Sequence, residues 1–525
     1  MRQGTEVAVS EPAPPSEIQQ HRSWPTGLLC GALALVIYAA SVSPGVEWQD
    51  PGRHQFRILT GQMEHPCGLA LSHPLHFRLA RLALAVPFGE PAWRMNMVSA
   101  ICGAAAIGLL AALVVRLTNS RPAAFLAAGV LLVAHSYWQM SCTTETYTLA
   151  ATLMVCEWLA LLQYARTGRP QWLVLVFALN GLHIANHLLG LIPLATYGVL
   201  LIERSLRRKL RPGWLLACAA VWIAGSAPYW TMVLDFYART HDLRDTLHST
   251  FFGGGAEYGG WAQAAVGLNL SASQLKIAFL SLGYNFPSLT LLIAALGLLL
   301  PMQGPQKLFR WVLLAQTVLM TVFVMRYRIA DLYTFFVPLD VMVALWFGLS
   351  VASIWRRLRS LTARRACAVL LAVNAVLPPL VYVAFPILAR QGEWMEGRWL
   401  HRPHRDEYNH FFRPWLRGDH SAAEFACEAL ERTGPGGWLL GESTTAPTTA
   451  YWYLVHGGPP GIQIFNGRVC LTARRPDLTD EELSEFVRTG GNVVIIAGVC
   501  TEITWSPGFT LDQSDEYWWR ISTGP

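Results

Sequence analysis

Apolar residues fall in long runs separated by short polar turns. A helix that crosses a bilayer needs about 20 mostly apolar residues. Runs of that kind lie near 26–43, 95–115, 122–140, 147–165, 171–184, 188–203, 213–230, 274–301, 311–325, 332–354 and 366–387. They predict about eleven transmembrane helices. Asn285-Phe286-Pro287 interrupts the run at 274–301, which reads as a loop-associated helix followed by a short span. The first run carries Ala39-Ala40-Ser41, which resembles a cleavage site, but its apolar core is longer than that of a signal peptide and reads as an uncleaved anchor.

Between the runs, Lys and Arg alternate sides. With residues 1–24 in the cytoplasm, the cytoplasmic loops hold Arg116 and Arg121, Arg166 and Arg169, the basic stretch 204–211, Lys307 and Arg310, and the stretch 356–365. The opposite loops at 141–146 and 185–188 hold neither Lys nor Arg. This bias sets orientation and predicts the segment after 390 to be extracytoplasmic. Two external loops, 44–94 and 231–273, are too long to be simple connectors. In the first, Arg78 and Arg81 alternate with leucines over 77–84, the pattern of a helix lying in the interface.

Residues 390–525 are more polar. A helix is predicted near 421–433 and another at 479–489 beginning at Thr479. Strand-like stretches fall at 438–442, 462–465 and 492–496. The alternation predicts a small α/β domain. Gly457-Gly458-Pro459-Pro460-Gly461 lacks the spacing and the Lys-Ser/Thr of a phosphate loop and reads as a loop. The expected organisation is a cytoplasmic tail (1–24), a polytopic membrane domain (25–389) and an extracytoplasmic domain (390–525).

Composition agrees with the pattern. Hydrophobic residues make up 53% of the 525 and charged residues only 14%, too little polar surface for a soluble protein of this length. The formal net charge of +6 is clustered in loops and forms no basic face, so nucleic acid is not an expected partner. The ten cysteines include no C-x-x-C pair. A disulfide among Cys427, Cys470 and Cys500 is open if the C-terminal domain is extracytoplasmic.

The residues with chemistry to offer gather on the external side. Asp50 follows the first span in Glu47-Trp48-Gln49-Asp50-Pro51-Gly52-Arg53. It reads either as a turn residue before Pro-Gly or as a base at the membrane boundary, in reach of both water and a lipid-borne substrate. His54, His65, His73 and His76 share this loop, but their spacing is not that of a zinc site, and no metal is predicted. Glu145, the turn with His183, Asn186 and His187, and Asp331 lie at outer helix ends. Ionisable groups near membrane depth read as capping or snorkelling residues, or as functional ones. Arginine matches an anionic headgroup through paired bonds to phosphate, which makes Arg326, Arg328 and then Arg53 the candidates. Trp48 and Trp138 read as an aromatic belt or as sugar-stacking rings.

Several of these stretches occur in one order. Asp50-Pro-Gly-Arg53, His65-Pro-Cys-Gly68, Arg94-Met-Asn96-Met-Val-Ser99, Trp138 with Glu145-Thr-Tyr147, and Gly181-Leu-His-Ile-Ala-Asn186-His187 resemble, over about residues 25–270, the D-S-G-E, H-P-P-G-Y-P-L, R-x-N-x-x-S, W…E-V-Y and G-L-x-x-x-N-x-H pattern of the transmembrane protein 260-like family. Ala227-Pro228-Tyr229 also has a counterpart there. The resemblance implies a membrane glycosyltransferase of the GT-C type that uses a polyprenyl-phosphate sugar. It implies Asp50 as the base. Arg53 departs from the family, which has a second acid there.

The expected fold is therefore an all-α polytopic membrane protein, GT-C-like, with a small C-terminal α/β domain. The expected function is transfer of a sugar from a polyprenyl-phosphate donor to a hydroxyl of a protein or glycan acceptor on the external face. No cofactor is expected beyond the lipid-linked donor. The donor phosphate would be held by Arg326, Arg328, His187 and Arg53. Glu145, Tyr147, His65, Asn186, Trp48, Trp138 and Asp331 would contact substrate. A bacterial inner membrane with a periplasmic site is the expected setting. A transporter or flippase, or a non-catalytic assembly protein, is the alternative, and a transporter would favour paired broken helices.

Overall fold

A computed structural model describes residues 17–254, 271–300, 306–327, 329, 331–395, 401–496, 509–514 and 517–523. The membrane domain contains helices α1 (Glu17–Ser41), α2 (Gln49–Thr60), α3 (Pro74–Ala83), α4 (Pro91–Thr118), α5 (Arg121–Leu132), α6 (His135–Met140), α7 (Tyr147–Thr167), α8 (Pro170–Asn186), α9 (Leu191–Leu206), α10 (Pro212–Thr240) and α11 (Leu243–Phe252). It continues with α12 (Ala272–Asn285), α13 (Thr290–Leu299), α14 (Gln306–Arg326), α15 (Val337–Arg357) and α16 (Leu361–Gln391).

Among the described residues eight helices are long and apolar enough to cross a membrane. They correspond to the predicted runs beginning at 26, 95, 147, 188, 213, 311, 332 and 366. The run at 274–301 forms α12 and α13, bent by 102° at the interruption before Pro287. The run at 122–140 divides into the short α5 and α6, and the run at 171–184 is α8, of 17 residues.

Local chemistry sets the helix ends. The Glu90 carboxylate accepts the Trp93 N–H at 3.1 Å, Pro91 occupies the first turn, and Asn119 ends α4 in the left-handed conformation. α1 lies against α4 because both present glycine. A Cβ on Gly27 would stand 2.6 Å from the Gly108 carbonyl oxygen, so only glycine permits this approach. α15 is central, buried almost throughout. α10 and α16 face outward with Leu216, Ile223, Val369, Val373 and Leu380 exposed, an apolar surface suited to lipid.

The predicted C-terminal α/β domain is present. It comprises α17 (Glu407–Phe412), α18 (Ser421–Thr433), β1 (Trp438–Gly441), α19 (Thr445–His456), β2 (Gln463–Asn466), β3 (Val469–Cys470), α20 (Asp480–Arg488), β4 (Val493–Ile496), β5 (Phe509–Gln513) and β6 (Trp518–Thr523). The sheet runs β3-β2-β1-β4-β6-β5, with β1 parallel to β2 and β4 and the outer pairs antiparallel. Thr479 caps α20 by accepting the Glu482 N–H at 3.2 Å. Cys427 and Cys470 are free thiols, and Cys500 lies outside the described residues.

This domain is seated on the segment between α1 and α4. Val46, Trp48, Phe56, Phe77 and Ala92 share one core with Ala422, Phe425, Leu439, Ala446 and Tyr451. Burial of that apolar surface holds the two parts together. Polar bonds fix the register: Thr448 Oγ1 donates to the Glu47 carbonyl at 2.9 Å, and Tyr451 OH donates to Glu90 Oε1 at 2.8 Å.

Candidate functional site

The site is built on two short elements joined by α4. α2 begins at Gln49, so Asp50 stands in its first turn, close to where the chain leaves α1. Glu145 lies in the turn between α6 and α7. Asn96 and Ser99, three apart and therefore on one face of α4, hold both. Asn96 Oδ1 accepts from Gln55 Nε2 at 2.9 Å and from the Thr144 hydroxyl, while Asn96 Nδ2 donates to the Ser43 carbonyl at 3.1 Å. The Ser99 hydroxyl donates to the Glu145 carbonyl at 2.9 Å and accepts the Glu145 N–H at 3.1 Å. The R-x-N-x-x-S stretch thus positions the two acidic segments.

A third polar segment follows α8. Asn186 Nδ2 donates to the Thr146 carbonyl at 3.0 Å, and the Asn186 carbonyl accepts from His73 Nδ1 at 2.8 Å. His187 Nδ1 accepts the Leu189 N–H at 3.0 Å, so the neutral ring keeps its proton on Nε2. The rings of His73 and His187 stack with centroids 5.0 Å apart. Beneath this turn, buried Glu157 of α7 bonds His183 Nδ1 at 3.0 Å and Tyr197 OH at 3.0 Å, and Asn180 Nδ2 reaches the Gly190 carbonyl at 3.0 Å. A buried acid satisfied by several donors therefore braces the break that carries His187.

These segments enclose a cavity of about 260 Å³. Asp50, Arg53, His65, Glu145, His187 and Asp331 give it polar lining, and Phe251, Phe252, Phe323, Ile329 and Phe335 apolar lining. Burial pushes the Glu145 carboxyl well above the usual range, helped by Asp50 and Asp331. Asp331 rises to about 7, by burial first and then by the charge of Asp50. Both are therefore held toward the neutral acid. The Asp50 side chain is 48% exposed, and Arg53 Nη1 lies 3.4 Å from its Oδ1. His54, His65 and His73 are held well below the usual imidazole range, chiefly by burial, and so are neutral. Among the described residues no three His, Cys, Asp or Glu side chains converge as metal ligands would.

Arg53 is held by several partners. Its Nε and Nη2 each donate to the Ser443 carbonyl of the C-terminal domain at 3.1 Å, and its Nη1 lies 3.0 Å from His65 Nε2. His65 Nδ1 already accepts the Cys67 N–H at 3.0 Å. Neutral His65 can accept at only one of these two nitrogens, so its tautomer decides which of the two donors it satisfies.

Of the residues singled out in the sequence, Asp50, Arg53, His65, Glu145, Tyr147, His187 and Asp331 line this cavity. Asn186 does not line it and acts by holding Thr146 and His73. Trp48 is a correction. It is 3% exposed, donates from Nε1 to Ser421 Oγ at 2.9 Å and packs on Phe425, so it belongs to the domain interface and presents no ring to a sugar. Trp138 packs against Trp415 and Tyr38, away from the cavity lining. Arg326 ends α14 and is not among the described lining residues, and Arg328 lies outside the described residues. The aromatic lining was not foreseen, because Phe323 and Phe335 look like ordinary span residues and Phe251 like a residue of a long loop in sequence.

The family model described as the Protein O-mannosyl-transferase TMEM260 N-terminal domain matches residues 50–210. The Protein O-mannosyl-transferase TMEM260 of Mus musculus is 33% identical over 132 residues, 24% of this chain. That match spans 18% of the mouse protein. Among solved structures, ArnT from Cupriavidus metallidurans, crystallised with undecaprenyl phosphate, superposes with a TM-score of 0.57 at 16% identity, covering 95% of this chain and 99% of that one. The resemblance seen in the motif order is thus present in the sequence of the site region, and the fold is that of ArnT, a GT-C architecture in an integral membrane protein.

Proposed function

We propose that this chain, TMEM260-like in the sequence of its site region and ArnT-like in fold, is a membrane glycosyltransferase that moves a sugar from a polyprenyl-phosphate donor to an acceptor hydroxyl. The observation that carries the reading is the mixed lining of the cavity, where carboxyls, an arginine and imidazoles stand with phenylalanines. A donor with a charged head and a hydrocarbon tail needs both surfaces. That the ArnT crystal holds undecaprenyl phosphate supports the same ligand class here.

In this reading Asp50 accepts the proton of the acceptor hydroxyl as its oxygen attacks the anomeric carbon. The bond from that carbon to the phosphate oxygen breaks, and the polyprenyl phosphate leaves as a stable anion, so no general acid is required. Inversion at the carbon follows from a single displacement. Phosphate oxygens accept hydrogen bonds from Arg53 Nη1, His65 Nε2 and His187 Nε2, with Arg326 and Arg328 as further candidates from α14 and its exit. Glu145, held neutral, orients the acceptor as a donor, with Tyr147 and Asp331 beside it. Mannose is the first sugar to test, given the printed activity of the mouse relative. The Lys/Arg bias puts this face outside the cytoplasm, periplasmic in a bacterial inner membrane.

The test is Asp50→Asn in membranes of matched protein abundance, supplied with labelled polyprenyl-phosphate mannose and, in parallel, other polyprenyl-phosphate sugars. Loss of about 10²–10⁴-fold in transfer rate is expected for removal of a general base. Full transfer by the variant would remove Asp50 from this role. Absence of transfer by the wild type with every donor would overturn the enzyme reading.

A further inference from the structure

At the opposite end of the membrane domain a second amphipathic site is present, independent of the sugar-transfer reading. α4 carries Ser99 at the first site and Thr118 in its last turn. Nineteen residues at 1.5 Å each put the two about 30 Å apart, the thickness of a bilayer core. Around Thr118 two cavities adjoin. One, of about 500 Å³, is lined by Thr118, Asn119, Ser120, Arg121 and Arg356. The other, of about 200 Å³, is lined by Ala123, Leu126, Val351, Ala368, Leu371 and Ala372. Ser120, Pro122 and Trp355 line both, so the polar cavity and the apolar one share a border.

The chemistry of the two parts differs sharply. Arg121 begins α5 and Arg356 lies in the last turn of α15, and both are exposed. Among the described residues neither has a carboxylate within ion-pair distance; Arg356 Nη1 reaches only the Thr118 carbonyl, at 3.3 Å. The neighbouring segments 116–122 and 356–365 contain no Asp or Glu. The apolar part is bounded by Ala368 and Ala372 of α16, both exposed, so the slot opens sideways to lipid. Trp355 stands where the two parts meet, as an interfacial aromatic does.

We propose that this groove binds one anionic phospholipid of the cytoplasmic leaflet, its phosphate between Arg121 and Arg356 and one acyl chain in the slot between α5, α15 and α16. Charge complementarity selects the occupant. Two unpaired guanidiniums favour a net-negative headgroup over a zwitterionic one, and a slot without polar lining side chains below Ser120 accepts a hydrocarbon chain. A lipid so held ties the outward-facing α16 to the central α15.

The test uses the full chain purified in detergent, titrated with dioleoylphosphatidylglycerol or dioleoylphosphatidylcholine and read by native mass spectrometry. The wild type is expected to retain one phosphatidylglycerol in preference to phosphatidylcholine. Arg121→Gln with Arg356→Gln lowers that affinity about tenfold or more. Ala368→Trp lowers it with the arginines intact, and Arg207→Gln with Arg208→Gln, at the same end of the bundle, leaves it unchanged. Equal binding of the two lipids, no effect of the Arg121 and Arg356 pair, or equal loss from the Arg207 and Arg208 pair would overturn the site. So would displacement of the lipid by an equal concentration of glycerol 3-phosphate, which has a headgroup and no chain, or a rise in binding on deleting residues 1–16, which would give the groove to the chain's own N-terminus. Melting temperature is measured for every variant, and the arginine pair, being exposed, keeps the test decisive if Ala368→Trp fails to fold.

Discussion

The Ser443 carbonyl receives two hydrogen bonds from the single guanidinium of Arg53, through Nε and Nη2, each at 3.1 Å. The same guanidinium is 3.4 Å from Asp50 through Nη1. One side chain therefore ties the C-terminal domain to the carboxylate proposed as the base. The residue that departs from the family pattern is the one that makes this connection, which gives the C-terminal domain a part in shaping the site.

Arg53→Lys keeps a positive charge near Asp50 and cannot form the fork, since an ammonium is a compact point charge. A lost charge-assisted bond amounts to about 1.5–3 kcal/mol. The expected outcome is a lower melting temperature in detergent and faster proteolysis of the C-terminal domain, with transfer reduced but detectable. Arg53→Glu restores the acid of the family pattern, yet here it faces the Ser443 carbonyl oxygen and Asp50. It is expected to be worse than Arg53→Lys in both measurements. An Arg53→Glu variant as stable and active as wild type would show that the fork is dispensable.

Gly52 lies between Asp50 and the docked domain. A Cβ there would stand 2.0 Å from the Glu47 carbonyl oxygen and 2.8 Å from Thr448 Oγ1. Overpacking of this kind costs about 1–3 kcal/mol. Gly52→Ala is expected to loosen the seat of α19 on α2 and to expose the C-terminal domain to trypsin. Adding Thr448→Ala relieves the side-chain clash and leaves the one with backbone, so the double variant stays destabilised. Recovery of wild-type protease resistance in the double variant would place the strain on Thr448 alone.

Much of this was legible in the sequence, for physical reasons that also mark its limits. Spans are legible because lipid demands long apolar runs, and the order Asp50, His65, Asn96, Glu145, His187 is legible because these polar residues interrupt that pattern at turns and near helix ends. α2 was not legible: it is short and polar on average, and its buried residues include His54, Gln55 and Arg57, which read as solvent-facing in sequence. Trp48 was read toward a sugar or a lipid interface because its partner, Ser421, is 373 positions away. The strands β1, β2 and β4 show as apolar runs, whereas α19, whose buried face is Thr445, Ala446, Thr448 and Thr449, has no apolar period to reveal it.

Asp331 allows a pH test of the site with a definite sign. Burial and the nearby Asp50 raise its carboxyl from 3.8 to about 7. Between those values the unfolded chain has released this proton and the folded chain still holds it, so stability falls as pH rises through the window and levels off above about 7. Asp331→Asn removes the titration and keeps the shape. Its melting temperature is therefore expected to match that of wild type near pH 4 and to exceed it increasingly up to about pH 7, with no further gain beyond. Part of the gain would come through Glu145, which Asp331 also pushes toward the neutral acid. Melting curves of both proteins in one detergent, from pH 4.5 to 8.5 at fixed ionic strength, read this directly. A difference between the two that did not change with pH would mean that Asp331 carries no buried charge penalty and that the inner wall of the cavity is wetter than its geometry implies.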